Sequence, residues 1–210
     1  MDNAILITGF NGEIGRQTLL SLSNQETHVI ALDIHQSDII YDNVTYIKDS
    51  ILNKDVIKSI FTDYHITEVY HFAALLSQSA NKNPQLAHEV NEEGSKEIIN
   101  AAMDHGKEHQ SFVKLFFPSS IAVYGPRKLI NAKEQDIMKP DTIYGCNKLA
   151  IEQFGTQKHE ESIALGCGID FRCLRFPGII SPYTIPSGGT TDFAPEMLHQ
   201  AYNNKNYTCK

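Results

Sequence analysis

Residues 4–15 read AILITGFNGEIG. An apolar run without polar alternation ends at Gly9. Gly12 and Gly15 follow at equal spacing, and apolar residues then recur at helical intervals, at Ile14, Leu19 and Leu22. A strand that is apolar on both faces must be covered on both faces, which is the condition of a strand inside a parallel sheet. The glycines divide the work of the turn. Gly9 permits the tight bend, Gly12 lets the backbone approach a ligand closely, and Gly15 lets helix and strand pack together. The helix that opens here offers its first N–H groups and the positive end of its dipole to an anion. Strand, glycine turn and helix in that order predict a diphosphate cradle, with Phe10, Asn11, Glu13 and Ile14 around it.

The rest of the chain keeps the alternation. Strands are expected at residues 27–33, 44–49, 67–74, 111–120 and 169–178. Helices are expected at 13–23, 54–64, 83–105, 142–155 and 192–202. Pro84 and Pro195 fall in first turns, where a missing N–H costs nothing. Such alternation predicts a mostly parallel sheet with helices on both faces. The one long Pro/Gly/Ser-rich connection, residues 176–191, is of a length that usually carries function.

Composition removes several alternatives. Apolar residues make up 41% and charged residues 20%, as in a folded soluble domain. With a net charge of −7 and no basic cluster, nucleic acid is not an expected partner. No apolar run reaches the ~20 residues that span a bilayer. The first residues, MDNAILITGF, run straight into a strand and resemble neither a secretory nor a transit sequence, so a cytoplasmic setting is expected. The four cysteines form no CxxC pair. HGKEH at 105–109 lacks the HExxH order, and Gly106 weakens the helix that would align its histidines. It is read as a solvated helix end, and no metal is expected.

The second strand ends in Asp33, followed by Ile34. A carboxylate there can accept bonds from the ribose hydroxyls of NAD and would repel the additional phosphate of NADP. No Arg or Lys follows at 34–38 to offset that repulsion, so NAD is the expected cofactor. Two tyrosine–lysine pairs share a four-residue spacing, Tyr124/Lys128 and Tyr144/Lys148. Pro126 interrupts the first. The second lies in a helical stretch, where residues four apart are neighbours. A phenol titrates near ~10, and an adjacent ammonium favours its ionised form. Tyr144 is therefore the candidate base for a substrate alcohol. Ser119 and Ser120, at a strand's carboxyl end, are candidates to hold that alcohol.

TGFNGEIG, HFAA (71–74), FPSSIAVYG (117–125) and YGCNK (144–148) together resemble the extended short-chain dehydrogenase/reductase superfamily, a Rossmann-type doubly wound fold. Sugar-nucleotide epimerases and dehydratases share these marks. A second rival is a non-catalytic domain that binds NAD. Residues 73–91, 175–181 and above all SGGTTDFAPEMLHQA (187–201) are similar to the short-chain type of L-threonine 3-dehydrogenase. That resemblance implies NAD-dependent oxidation of the β-hydroxyl of L-threonine to 2-amino-3-ketobutyrate. It implies Tyr144 as base, Lys148 as its assistant and ligand of the nicotinamide ribose, and Ser120 as alcohol binder. It places Ser50 and Ile51 beside adenine, Phe72, Ala73, Ala74, Asn91 and Ser119 around the cofactor, and Pro177 by the nicotinamide. Ser77, Gly189, Thr190 and Thr191 would line the substrate pocket. Ser50 stands where the family usually has Asp. The resemblance further implies a homodimer, formed through the helices near 84–105 and 143–160. It also implies a continuation of roughly a hundred residues, so that residues 1–180 form the NAD-binding domain and 181–210 begin a largely missing substrate lobe.

Overall fold

The computed structural model describes residues 3–126, 132–179 and 193–208. Six strands form one sheet in the order β3-β2-β1-β4-β5-β6. They are β1 (Asn3–Thr8), β2 (His28–Asp33), β3 (Val44–Lys48), β4 (His65–His71), β5 (Phe112–Ser120) and β6 (Gly168–Phe176). All five pairings are parallel. The order reverses between β1 and β4. In doubly wound sheets that is where a crevice opens at the strands' carboxyl ends.

Right-handed crossovers determine which face each helix covers. The chain moves one way from β1 to β3, so α1 (Glu13–Ser23) lies on one face. Leu19 and Leu22 pack there with Ile5, Ile7, Phe10, Val29 and Ala31. From β3 to β6 the chain moves the other way. α2 (Lys54–Asp63), α5 (Ser95–Glu108) and α6 (Ile143–Leu165) therefore share the opposite face. Ile57, Ile60, Ile98, Ile99 and Ile151 build the larger core there. The expectation of helices on both faces holds over β1 and β2. Over β4–β6 the α1-side face carries partly exposed residues instead. Lys114 pairs with Glu68 at 2.9 Å, Arg172 with Asp170 at 2.6 Å, and Leu174 is 58% exposed.

Several boundaries differ from those read in the sequence. β4 begins two residues earlier than expected, at His65, and ends at His71. α3 (Ser77–Lys82) was not expected. The expected long helix is divided into α4 (Pro84–His88), one π-helical turn (Glu89–Gly94) and α5. α6 does not stop at Gly155 but runs to Leu165, where Gly166 closes it at φ +76°. A Cβ at 155 would lie 2.3 Å from the Phe171 ring, so this glycine admits close packing rather than ending the helix. α7 is described over Phe193–Tyr202. Among the described residues, no helix is long and apolar enough to cross a membrane.

Candidate active site

The glycine turn behaves as its spacing predicts. Gly9 sits at φ +71°, and a Cβ there would meet the Ala73 backbone nitrogen at 2.5 Å. A Cβ at Gly15 would meet the Gly9 carbonyl oxygen at 2.4 Å, so α1 packs directly on the turn. Gly12 is different. It is the N-cap of α1, caps nothing with a side chain, and leaves the first turn open towards a cavity. That cavity has a volume of about 870 Å³ and lies at the carboxyl ends of β1, β4 and β5.

Many of the residues singled out in the sequence line it. Asn11, Gly12, Glu13, Ile14 and Gly15 form one wall. Ile34, 59% exposed, together with Phe72 and Ala74, supplies apolar surface. Ser77, Ser119, Ser120, Tyr144, Lys148 and Pro177 complete the list of expected residues. Leu75, Leu76, Ile121, Thr142 and Phe176 also line it, and sequence reasoning did not single them out. Gly189, Thr190 and Thr191 lie outside the described residues.

Other expected cofactor residues are placed elsewhere. Phe10 is buried in the α1-side core, edge-on to Tyr46 at 5.5 Å. Ile51 is 5% exposed and belongs to the opposite core. The Ser50 hydroxyl accepts the Leu52 N–H at 3.1 Å. Ala73 backs Gly9, as its close approach shows. Asn91 projects from the π turn onto the chain after β4, accepting the Leu75 N–H at 2.7 Å and donating to its carbonyl at 3.0 Å. It shapes the cavity wall without lining the cavity. Asp33 accepts the N–H groups of Asn11 (3.0 Å) and His35 (2.9 Å), which ties the glycine turn to the end of β2. Each carboxylate oxygen keeps a further lone pair for a ribose hydroxyl.

Contacts between elements distinguish the two tyrosine–lysine pairs. The Tyr124 phenol accepts from the Arg175 guanidinium at 2.7 Å and donates to the Lys133 carbonyl at 3.2 Å. Arg175 in turn holds the buried Glu152 carboxylate through both oxygens. Tyr124 is thus part of a structural ion-pair network, and Lys128 lies outside the described residues. Tyr144 is free of such ties: among the described residues no hydrogen bond occupies its phenol. Its neighbour Gly145 explains its position. A Cβ there would stand 2.7 Å from the Ala122 carbonyl oxygen, so α6 approaches the turn after Ser120 as closely as backbone allows. Thr142 caps the helix start by accepting the Gly145 N–H.

Lys148 is 4% exposed, donates to the Pro118 carbonyl at 2.8 Å, and stands 4.4 Å from the Phe117 ring centroid. Its ammonium is 5.5 Å from the Tyr144 ring centroid. Burial pushes the lysine down to about 8 and the Tyr144 phenol up to about 12. The expected lowering of the phenol by the ammonium is therefore outweighed by desolvation. The two serines differ as well. Ser120 accepts the Ala122 N–H at 3.1 Å, capping a short 3₁₀ turn (Ile121–Tyr124), while its own proton stays available. Ser119 is 2% exposed, and among the described residues its hydroxyl has no partner. His71 is the last residue of β4. It bridges Thr8 (2.6 Å) and Ser95 (2.8 Å), and burial lowers it to about 3, so it stays neutral beside Lys148.

A glycine cradle, a switch-point crevice and a Tyr/Lys pair facing strand-end serines form one cavity. The family model described as "NAD dependent epimerase/dehydratase family" matches residues 5–210. The chain belongs to the NAD dependent epimerase/dehydratase family. The L-threonine 3-dehydrogenase, mitochondrial, of Bos taurus is 34% identical over 209 residues. The match covers 98% of this chain and 53% of the cattle protein. The GalE-like L-threonine dehydrogenase from Cupriavidus necator superposes with a TM-score of 0.85 at 32% identity, covering 98% of this chain and 64% of that one. A UDP-glucose 4-epimerase from Thermus thermophilus, in complex with NAD, superposes at 0.83 with 22% identity, covering 97% and 64%, and shares the fold. The chain thus spans about half the length of the curated relative and under two thirds of the solved ones.

Proposed function

We propose that this chain is the NAD-binding part of a dehydrogenase that oxidises the β-hydroxyl of L-threonine to 2-amino-3-ketobutyrate. The observation that carries the reading is the convergence of Tyr144, Lys148, Ser119 and Ser120 on the cavity that also contains the glycine turn. The 34% identity to an L-threonine 3-dehydrogenase supports the choice of substrate.

The residues present fit NAD. Gly12 has no side chain to block the start of α1, the Asp33 carboxylate keeps acceptor capacity, and Ile34 offers an exposed apolar surface. Asn11, Gly12, Ile14, Asp33, Ile34, Phe72, Ala74, Ser119, Lys148 and Pro177 are the residues that would hold it. The chemistry NAD supplies when bound is acceptance of a hydride from the hydroxyl-bearing carbon. The chain's own residues deal with the proton. Ser120 donates a hydrogen bond that orients the substrate hydroxyl. Tyr144 takes the hydroxyl proton as the carbonyl forms. Lys148 remains an ammonium at neutral pH, because even its lowered value lies above 7. Its ammonium, 5.5 Å from the Tyr144 ring centroid, would favour the ionised phenol over the neutral one. Ser77 and, by resemblance, Gly189, Thr190 and Thr191 would receive the amino-acid end.

The test is threonine-dependent NADH formation by this chain, with NAD binding measured separately. Tyr144→Phe should lower the rate by ~100-fold or more while leaving NAD affinity within a few fold. Activity that survives the substitution would remove the assigned base. NAD binding without turnover would favour a non-catalytic domain.

A further inference from the structure

At the end of the sheet opposite the cavity lie three histidines that the reaction does not use. His65 is the first residue of β4. His105 and His109 stand one turn apart at the end of α5, where His109 is the C-cap. Gly106 does not break this helix. It allows the helix to rest against Gly168, whose carbonyl oxygen would be 2.0 Å from a Cβ at 106. The site read as a solvated helix end is therefore packed. Ring centroids are 4.3 Å apart for His105 and His109, 4.5 Å for His65 and His109, and 5.5 Å for His65 and His105. Each ring offers one nitrogen, and these three nitrogens lie within 4.8 Å of one another.

His105 supplies the decisive observation. It is 4% exposed, and among the described residues neither ring nitrogen has a hydrogen-bond partner. The Phe61 carbonyl stands close enough to affect its charge without forming a well-aligned bond. Burial first, then His109 and His65, lower its pKa. Leaving a buried polar group unpaired is costly, so an unpaired imidazole calls for a partner. The carbonyl end of α5 and Glu108 add negative potential around the rings.

We propose that His65, His105 and His109 bind a zinc-class transition-metal dication, with a fourth position left to water. Neutral imidazole is a preferred ligand of such borderline ions, and three histidines with one open position is an established zinc donor set. Metal–nitrogen bonds of ~2 Å bring tetrahedral ligand atoms to ~3.3 Å from each other. The exposed His109 can rotate inward to close that gap. The bound ion would clip the start of β4 to the end of α5, and it would stabilise the fold without touching the reaction cavity. A second group, His88, Glu92 and Glu93, serves as the contrast. Its members are already paired with one another and with Lys96 at the surface.

The experiment is calorimetric titration of the untagged, metal-stripped chain with zinc chloride, repeated with cobalt(II) to read the visible spectrum of the site. One ion per chain is expected, with a rise in melting temperature. His109→Ala should weaken binding by at least ~10-fold, since even losing a partner of a metal ligand costs that much. It should also abolish the thermal shift. His88→Ala should change neither. His109 is exposed, so this variant keeps the buried packing around His105 and should fold. Absence of stoichiometric zinc uptake, or a loss under ~10-fold in His109→Ala, would overturn the proposal.

Discussion

Lys148 offers a quantitative test of the site's electrostatics. The ammonium is enclosed by α6, β5 and Phe117, and its pKa falls from 10.5 to about 8, chiefly by burial. The unfolded chain therefore binds the lysine proton more tightly than the folded chain does. Below pH 8 both states are protonated, and burying the charge opposes folding in full. Between pH 8 and 10.5 the folded state loses the proton first, so this penalty fades as pH rises. The whole displacement corresponds to about 3 kcal/mol, of which about 2 kcal/mol is regained between pH 7 and pH 9.5. Lys148→Met removes the charge while keeping an unbranched side chain of similar volume. It also leaves the Pro118 carbonyl without this donor, at a cost of about 1–2 kcal/mol that is the same at every pH. Urea unfolding of both proteins across this range should show the difference in stability changing by about 2 kcal/mol in favour of the wild type as pH rises. In melting temperature this is about 4–8 °C for a chain of this size. Other titrating groups largely cancel in the difference. Parallel pH profiles would refute the claim that the lysine is buried as a strained cation.

Two further outcomes follow from the site's supports. Gly9→Ala forces a side chain into a left-handed turn and against the Ala73 backbone, so it should destabilise by about 2 kcal/mol or more. The urea midpoint should fall with the slope unchanged. Asn91→Ala removes both hydrogen bonds to Leu75 and should destabilise by about 1–3 kcal/mol. Hydrogen exchange at residues 74–77 should quicken, and unchanged protection there would show that the π turn does not hold the cavity wall.

What the sequence determined by itself was local. The glycine turn, the parallel strands and the Tyr144/Lys148 pair are each written within one element or one crossover. There backbone sterics and the periods of helix and strand translate spacing directly into neighbourhood. Ser77 and Pro177 were placed by resemblance, and the fold does bring them to the cavity. Tertiary structure decided what depends on partners distant in the chain. Arg175 holds the Tyr124 phenol, Asn91 turns to Leu75, and Ile51 and Phe10 enter the core. Burial, invisible in a motif, sets Tyr144 and Lys148 at about 12 and about 8. The same holds for the histidines. Spacing pairs His105 with His109, but only the packing of β4 against α5 brings in His65 and leaves His105 without a partner. The spacing within an element is fixed by helix or strand geometry, whereas contact between elements is fixed by the order and packing of the whole sheet.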